Sequence, residues 1–250
     1  MEKVHIDDVY SHILEARSRI VDDRRLGYVN QKTNSVDLVL PMSQIDLHIR
    51  QSVTGLSDST GFVCWRAAQH FVDWLISSRM CPFVLSSQDA VVELGSGVGA
   101  VSVSVLAPLV STYIATDQPQ LLKLLKENYS ENKHCYSSKE AKAYFEEFDW
   151  EDPEAGSVRV KRILDNQPVD YVIATDTVYN EYLIEPFIDS FLALMGAQTK
   201  VIMAIYLRDE ELTALFCEKV LERGLLMFCV SESHLSDDLK KGHIVYCIER

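Results

Sequence analysis

The stretch from Ala90 to Val101 limits the folds open to this chain more than any other part of the sequence. It consists of a short apolar run, the turn Gly95-Ser96-Gly97-Val98-Gly99 and a second apolar run. An apolar run of this length predicts a strand buried on both faces, as in parallel sheets. Glycine permits a sharp turn and a close approach to a ligand because it has no Cβ. Together these features predict an α/β sheet that binds a nucleoside cofactor at its edge.

Strand and helix patterns alternate along the rest of the chain, which predicts a parallel sheet with helical crossovers. Further strands are predicted at 112–116, 143–148, 169–175 and 200–206, helices at 99–107, 119–132, 181–195 and 209–223, and a polar loop from 151 to about 166. Strands at 225–230 and 244–248 follow without an intervening helix, so we expect them to be antiparallel. The expected fold class is a Rossmann-like, seven-stranded, mostly parallel sheet with an antiparallel final strand, flanked by helices.

The first 60 residues have a different pattern. Apolar positions interleaved with charge predict an amphipathic helix over 3–24. Residues 27–29 and 36–40 are predicted to form a β-hairpin, and alternation over 45–49 adds another strand. The loop 55–61 is the predicted internal boundary, followed by a helix over 62–77. We therefore expect a cap at 1–60, with a helix and a hairpin, and a catalytic domain at 61–250.

Composition excludes several classes of protein. No apolar run is long enough to span a membrane, and the start of the chain has neither a secretory nor a transit signal. The six cysteines are scattered, and the histidines have no HxH or HxxxH spacing, so we expect reduced thiols and no metal site. The expected location is cytoplasmic, with the nucleus as a second location.

The net charge of −13 disfavours direct nucleic-acid binding, which needs basic patches. The same charge suits a basic protein substrate through electrostatic steering, although acidic surfaces also simply keep proteins in solution. A monomer without membrane contact is expected.

The glycine turn alone leaves the cofactor undecided. Gly95-x-Gly97-x-x-Ala100 satisfies the dinucleotide fingerprint in its G/A form. Asp117 follows the second strand, where an acid accepts hydrogen bonds from ribose hydroxyls. NAD enzymes and S-adenosylmethionine (AdoMet) enzymes both need that acid.

Three further features favour AdoMet. Glu93 precedes the glycines within Glu-Leu-Gly-Ser-Gly-Val-Gly. Asp149-Trp150 follows the third strand, where an acid can accept from an adenine amino group and an indole can cover the ring. Asp176 and Tyr179 follow the fourth strand, at the edge where open α/β sheets bind ligands.

With these motifs the chain resembles the class I AdoMet-dependent methyltransferases of methyltransferase family 16, whose members mostly methylate protein lysines. The resemblance rests on motifs from about residue 45 onward: Phe62-Val63-Cys64-Trp65, Glu93 to Gly99, Thr116-Asp117, Asp149-Trp150, Asp176-Thr177-Val178-Tyr179 and Ala204-Ile205-Tyr206-Leu207-Arg208. It implies AdoMet as cofactor and a lysine side chain as acceptor, with ribosomal and translation-associated proteins as expected substrates.

The resemblance also implies roles for individual residues. Trp65 would contact the methionine part of AdoMet, and Thr175, where relatives often carry a smaller residue, would close the site beside the sulfonium. Asp176 and Tyr179 would face the target amine. The nucleoside half of the cofactor would be lined by Glu93, Gly95, Ser96, Gly97, Asp117, Asp149 and Trp150.

A lysine must lose its proton before it can attack a methyl group. Burial promotes that loss, whereas a carboxylate beside the amine opposes it. We therefore assign Asp176 to positioning of the amine, with proton loss to solvent or through Tyr179.

Other interpretations stay open on the sequence. Trp65 and Trp150 could be core residues, Asp117 and Asp176 could be helix caps, and Tyr179 could be a packed ring. The methyl acceptor could be a small molecule, an RNA or a protein N-terminus. The chain could also be an NAD-binding oxidoreductase or a non-catalytic binding protein that retains the fold.

Overall fold

A computed structural model describes residues 1–18, 27–53 and 60–250. In chain order its strands are β1 (Glu2–Lys3), β2 (Ser35–Leu40), β3 (Ile45–Arg50), β4 (Ala90–Leu94), β5 (Thr112–Asp117), β6 (Ala143–Glu147), β7 (Tyr171–Thr175), β8 (Lys200–Tyr206), β9 (Leu226–Cys229) and β10 (His243–Glu249). Its α-helices are α1 (Val9–Ser18), α2 (Arg66–Ser77), α3 (Val101–Leu106), α4 (Pro119–Asn132), α5 (Pro153–Ile163), α6 (Ile184–Leu194) and α7 (Glu210–Glu222).

The central sheet has the strand order β1-β9-β10-β8-β7-β4-β5-β6. Strands β4 to β8 are parallel, and β10 is antiparallel to both β8 and β9. The predicted fold class and the predicted antiparallel pair at the end of the chain are confirmed. The sheet has one strand more than predicted, because Glu2 and Lys3 pair with the edge strand β9. The predicted helix over 3–24 therefore begins only at Val9, and residues 19–24 lie outside the described residues.

Helices cover both faces of the sheet. Helices α1, α5, α6 and α7 pack on one face, where the rings of Phe187, Phe191 and Phe216 are fully buried. Helices α2, α3 and α4 and the hairpin β2–β3 pack on the other face. Across the described ranges, no helix has the length and apolar character needed to cross a membrane.

The polar loop predicted from 151 to about 166 is wrong, because this segment contains helix α5. The Asp152 side chain accepts a hydrogen bond from the Ala155 N–H at 3.3 Å, and Pro153 occupies the first turn. These are strong helix-start signals. Only Gly156, Ser157 and Val160 of this helix are buried, so its apolar stripe is too narrow to stand out in the sequence.

The pairing predicted for the N-terminal hairpin is also wrong. Strand β2 pairs with β3 through the turn 41–44, and not with residues 27–29. Tyr28 instead forms an isolated bridge with Trp65, at the start of α2. The turn is anchored by Asp73 of α2, whose carboxylate accepts from the Met42 and Ser43 N–H groups at 2.7 and 2.8 Å. The proposed domain boundary falls beside residues 54–59, which lie outside the described residues, and stays a prediction.

Two buried asparagines of α4 complete the edge of the hairpin. The Asn132 amide accepts from His48 N and donates to His48 O, at 2.9 and 2.7 Å. Asn128 repeats this pattern on Arg50 at 2.9 and 2.7 Å and also donates to Val98 O. The two side chains thus act as a substitute strand for β3, and Asn128 also ties the hairpin to the glycine turn through Val98.

We expect Asn128→Ala and Asn132→Ala each to lower the free energy of unfolding by about 2 to 3 kcal/mol, because each leaves a backbone N–H and C=O of β3 without a partner. Ser130→Ala, on the exposed side of the same helix, is the matched control and should change it by less than about 0.5 kcal/mol. Urea denaturation measures all three. Equal values for the asparagine and serine variants would contradict the substitute-strand interpretation.

Candidate active site

A single cleft at the carboxyl end of the parallel strands collects the predicted site residues. It contains about 980 Å³ of space, part of it open to solvent. Ten of the eleven predicted residues line it: Trp65, Gly95, Ser96, Gly97, Asp117, Asp149, Trp150, Thr175, Asp176 and Tyr179. Only Glu93 does not.

The glycine loop forms the floor of this cleft. Gly95 and Gly97 have φ values of +72° and +59°, a conformation that favours glycine. A Cβ on Gly95 would lie 3.0 Å from Thr177 Cγ2 and 3.1 Å from the Trp150 ring. Both the backbone conformation and the limited space therefore require glycine at position 95.

Four N–H groups of this loop are already hydrogen-bonded within the protein. Gly95 N and Ser96 N donate to Thr116 O at 3.1 and 3.0 Å, and Val98 N donates to Gly61 O at 3.0 Å. Gly97 N donates to Asp117 Oδ2 at 2.7 Å. Dinucleotide sites use free N–H groups at this turn to bind pyrophosphate. These four groups are engaged, so the loop suits a cofactor without phosphate.

Asp117 ends β5 beside the loop. Besides Gly97 N, its carboxylate accepts from the Gln118 N–H at 2.7 Å. Burial raises the pKa of Asp117 to about 6, and the two N–H donors oppose this rise. The carboxylate is therefore ionised at neutral pH and retains lone pairs that can accept hydrogen bonds from ribose hydroxyls. The helix-cap alternative receives no support, because no side chain caps α4.

Trp150 has both a core contact and a cleft surface. Its ring lies 4.8 Å from that of Phe187, and it also faces Gly95. The neighbouring Asp149 is exposed, and its carboxylate accepts from the Glu151 N–H at 3.0 Å. Thr177 is buried in the cleft wall, and its hydroxyl has no hydrogen-bond partner among the described residues. An aromatic wall and an unpartnered hydroxyl fit a cofactor with an adenine ring and polar substituents.

Trp65 lies on the opposite side of the cleft, at the start of α2. Its indole N–H donates to Thr60 O at 3.1 Å, and its ring stacks on that of Tyr28 at 4.0 Å. The guanidinium of Arg208 lies over the Trp65 ring, 4.8 Å from its centroid. These contacts fix the indole before any ligand binds.

Asp176 follows β7 in a left-handed conformation, with φ +60°. Aspartate tolerates this conformation better than most residues. Its N–H donates to Ala204 O at 2.8 Å, which holds the turn against β8. Its carboxylate accepts from Tyr206 N at 3.3 Å and forms an ion pair with Arg208. Burial raises the pKa of Asp176, and Arg208 opposes that rise.

Tyr179 lies in the same loop and is 40% exposed. Partial burial raises the pKa of its phenol, so the phenol is protonated at neutral pH and is a donor rather than a base. Thr175, the last residue of β7, also faces the cleft; it directly precedes Asp176, on the strand next to β4 and its glycine loop.

Glu93 lies beneath the loop, buried within β4. The Ser96 hydroxyl donates to Glu93 Oε2 at 2.8 Å. Burial raises the pKa of Glu93, opposed by hydroxyl groups around it. The structure gives this carboxylate a supporting contact to the loop, and its direct contact with the cofactor stays a prediction.

The sequence alone gives no role to three residues that line this cleft or contact its lining residues. Arg208 belongs to a motif that the sequence analysis quotes, but nothing local shows that it reaches Asp176, 32 residues earlier. Tyr28 sits in a segment whose predicted strand partner is wrong. Thr177 lies inside the Asp176–Tyr179 motif, and its unpartnered hydroxyl is visible only in three dimensions.

The fold is similar to that of solved methyltransferase-related structures. Fibrillarin from Aeropyrum pernix, described with natively bound AdoMet, has a TM-score of 0.51 and 13% identity, with 82% of this chain and 90% of that chain covered. The fibrillarin pre-rRNA processing protein of Methanococcus jannaschii has a TM-score of 0.50 and 15% identity, covering 92% and 98%. These neighbours share the Rossmann-like fold of this chain, with its mostly parallel sheet flanked by helices.

The sequence comparison gives the family. Residues 42–222 match the family described as lysine methyltransferase, so the chain belongs to the lysine methyltransferase family. Ribosomal lysine N-methyltransferase 5 of Zygosaccharomyces rouxii is 28% identical over 232 residues, covering 74% of this chain and 73% of the relative. Its counterpart in Saccharomyces cerevisiae strain AWRI796 is 26% identical, covering 82% and 79%. AdoMet rather than NAD is therefore the cofactor.

We expect AdoMet affinity to fall as the pH drops through about 6. The pKa of Asp117 is about 6, so below that pH the protonated carboxyl loses acceptor capacity for the ribose hydroxyls. Between pH 7.5 and 5 the affinity should fall about tenfold, the value of one lost charge-assisted hydrogen bond. Isothermal titration calorimetry with AdoMet measures this dependence.

Asp117→Asn should bind AdoMet more weakly at neutral pH and lose most of this dependence. Asp46→Asn, on the exposed face of β3, is the matched control and should retain it. A dependence that survives unchanged in Asp117→Asn would show that another group is responsible.

Proposed function

We propose that this chain methylates a lysine side chain of a ribosomal or translation-associated protein, in the cytoplasm and as a monomer. The observation that carries the site assignment is that Asp176, Tyr179 and Trp65 share one cleft with the glycine loop and Asp117. The curated relatives supply the substrate class, since both are named ribosomal lysine methyltransferases. The net charge of −13 supports a basic protein as substrate and argues against direct nucleic-acid contact.

In this proposal the cofactor lies along the carboxyl edge of β4, β5 and β6. Asp117 holds the ribose, Trp150 flanks the adenine, and the glycine loop permits close approach. Trp65 and Thr175 lie beside the methionine part. When bound, AdoMet supplies the methyl group: the amine nitrogen forms the new C–N bond as the C–S bond breaks, and the positive charge passes from sulfur to nitrogen.

The protein's own residues prepare the amine. Because alignment of nucleophile, methyl and leaving group supplies much of the rate of a displacement, orientation by Asp176 is its expected contribution. The raised pKa of Tyr179 favours proton loss to solvent over loss through the phenol. Tyr179 then acts as a hydrogen-bonding wall at the mouth of the cleft.

The substrate is tested with tritiated AdoMet and a lysate from a strain that lacks this protein. We expect the purified enzyme to label one protein band, with the label on a lysine Nζ after site mapping. Lysate from the parent strain, whose target is already methylated, is the control and should be labelled weakly. Label on RNA, on metabolites or on an α-amino group would contradict the proposal.

Asp176→Asn should lower the methylation rate by at least about tenfold, because misplacing the amine is costly in a displacement. Its AdoMet affinity should stay close to that of the wild type. Tyr179→Phe should reduce the rate less, and Tyr182→Phe, whose ring is 88% exposed in the same loop, is the matched control and should leave it unchanged. Full activity of Asp176→Asn with normal AdoMet binding would contradict the positioning role.

A further inference from the structure

The Asp176 carboxylate is already paired with a cation when an amine approaches it. Arg208 forms an ion pair with it, and the exposed fractions of the two side chains are 19% for Arg208 and 2% for Asp176. The guanidinium is held on its other side by the Trp65 ring. Its position is therefore fixed by two contacts from different elements, α2 and the loop after β7.

The Asp176–Arg208 ion pair affects the protonation of the target lysine, which must be held by a carboxylate and yet lose its proton. An unpaired buried carboxylate stabilises an ammonium beside it and so raises the pKa of the target lysine. The lysine must nevertheless arrive at the reaction as a neutral amine. A carboxylate that is already paired with an arginine, which keeps its charge at all relevant pH values, favours the ammonium far less.

The other side chains around the Asp176–Arg208 pair do not offset the negative charge of Asp176. His243 of β10 and Tyr206 of β8 also face Arg208. Burial lowers the pKa of His243 to about 3, so its ring is neutral. His70 of α2, packed against His243, also has a lowered pKa. Tyr179, on the loop after β7, is protonated at neutral pH. Within the described ranges, Arg208 is the one permanent positive charge in contact with Asp176.

We propose that Arg208 is a positioning residue for methyl transfer: its guanidinium compensates the charge of Asp176, so that the carboxylate orients the target amine without retaining its proton. This inference rests on the function proposed above. The proton leaves the lysine ammonium for solvent, and the neutral nitrogen then attacks the methyl carbon. Asp176 keeps one oxygen on Arg208 and offers its remaining lone pairs to the amine N–H groups.

The test is the pH dependence of the methylation rate with the labelled protein of the lysate experiment as substrate. In Arg208→Gln, the pH at which the rate reaches half its maximum should rise by about one to two units, the usual effect of one opposite charge on an amine. The rate near pH 7 should fall about 10- to 100-fold and recover at high pH. Arg208→Lys, which keeps the charge, should restore the wild-type profile.

The double variant Asp176→Asn/Arg208→Gln separates charge from packing. It removes both charges, so its half-maximal pH should return to the wild-type value although its maximal rate stays low. A rate that falls equally at all pH values in Arg208→Gln would overturn the inference and leave Arg208 a structural role. Failure of Arg208→Lys to restore the profile would also overturn it, because shape rather than charge would then be required.

A second measurement does not depend on activity. In the protein alone, carbon-13 NMR of labelled aspartate follows the Asp176 carboxyl, which is assigned by the loss of its signal in Asp176→Asn. Arg208→Gln should raise its pKa by more than one unit, since the cation that opposes the rise is gone, and an unchanged value would overturn the inference. If the wild type labels no protein lysine, the proposed function fails, whereas this titration still decides whether Arg208 controls the charge of Asp176.

Discussion

Buried carboxylates lie at the carboxyl edge of the parallel sheet, and the arrangement of the site depends on the groups that bind them. Glu93, Asp117 and Asp176 lie on or directly after three neighbouring strands, and burial raises the pKa of each. An ionised group in such a place is tolerated only with partners. The partners differ: a serine hydroxyl for Glu93, two backbone N–H groups for Asp117 and a guanidinium for Asp176. Each choice of partner gives the carboxylate a different chemistry.

For Asp117, neutral donors leave a negative charge that can accept hydrogen bonds from a ribose. One of these donors is the Gly97 N–H. Because it is bonded to Asp117, it is not available to bind an anionic ligand. For Asp176, the cation neutralises the charge and leaves an oriented acceptor. The proposed function uses both kinds of acid, one to bind a polar neutral group and one to direct an amine that must lose its proton.

The sequence predicts the sheet, the cleft and its lining residues because these follow from local patterns. Apolar runs mark β4, β5, β7 and β8, and the polar residues at their ends meet at one edge by the geometry of parallel strands. The sequence does not predict the hairpin pairing, the helix α5 or the Asp176–Arg208 pair. Residues 27–29 pair with the start of α2 through tertiary contacts, α5 buries only one narrow stripe, and Arg208 meets Asp176 because β7 and β8 are neighbours.

Under the proposed function, the order of the strands also separates the residues that hold the cofactor from those that face the methyl acceptor. Strand β4, with the glycine loop, lies between β5 and β7. Side chains that follow β5 and β6, such as Asp117 and Trp150, are therefore on the nucleoside side of the cleft. Those that follow β7 and β8, such as Asp176 and Arg208, are on the acceptor side. An arginine at the end of β8 can compensate Asp176 while two strands separate it from β5 and Asp117, which must stay charged. The same guanidinium placed after β6 would pair with the wrong acid.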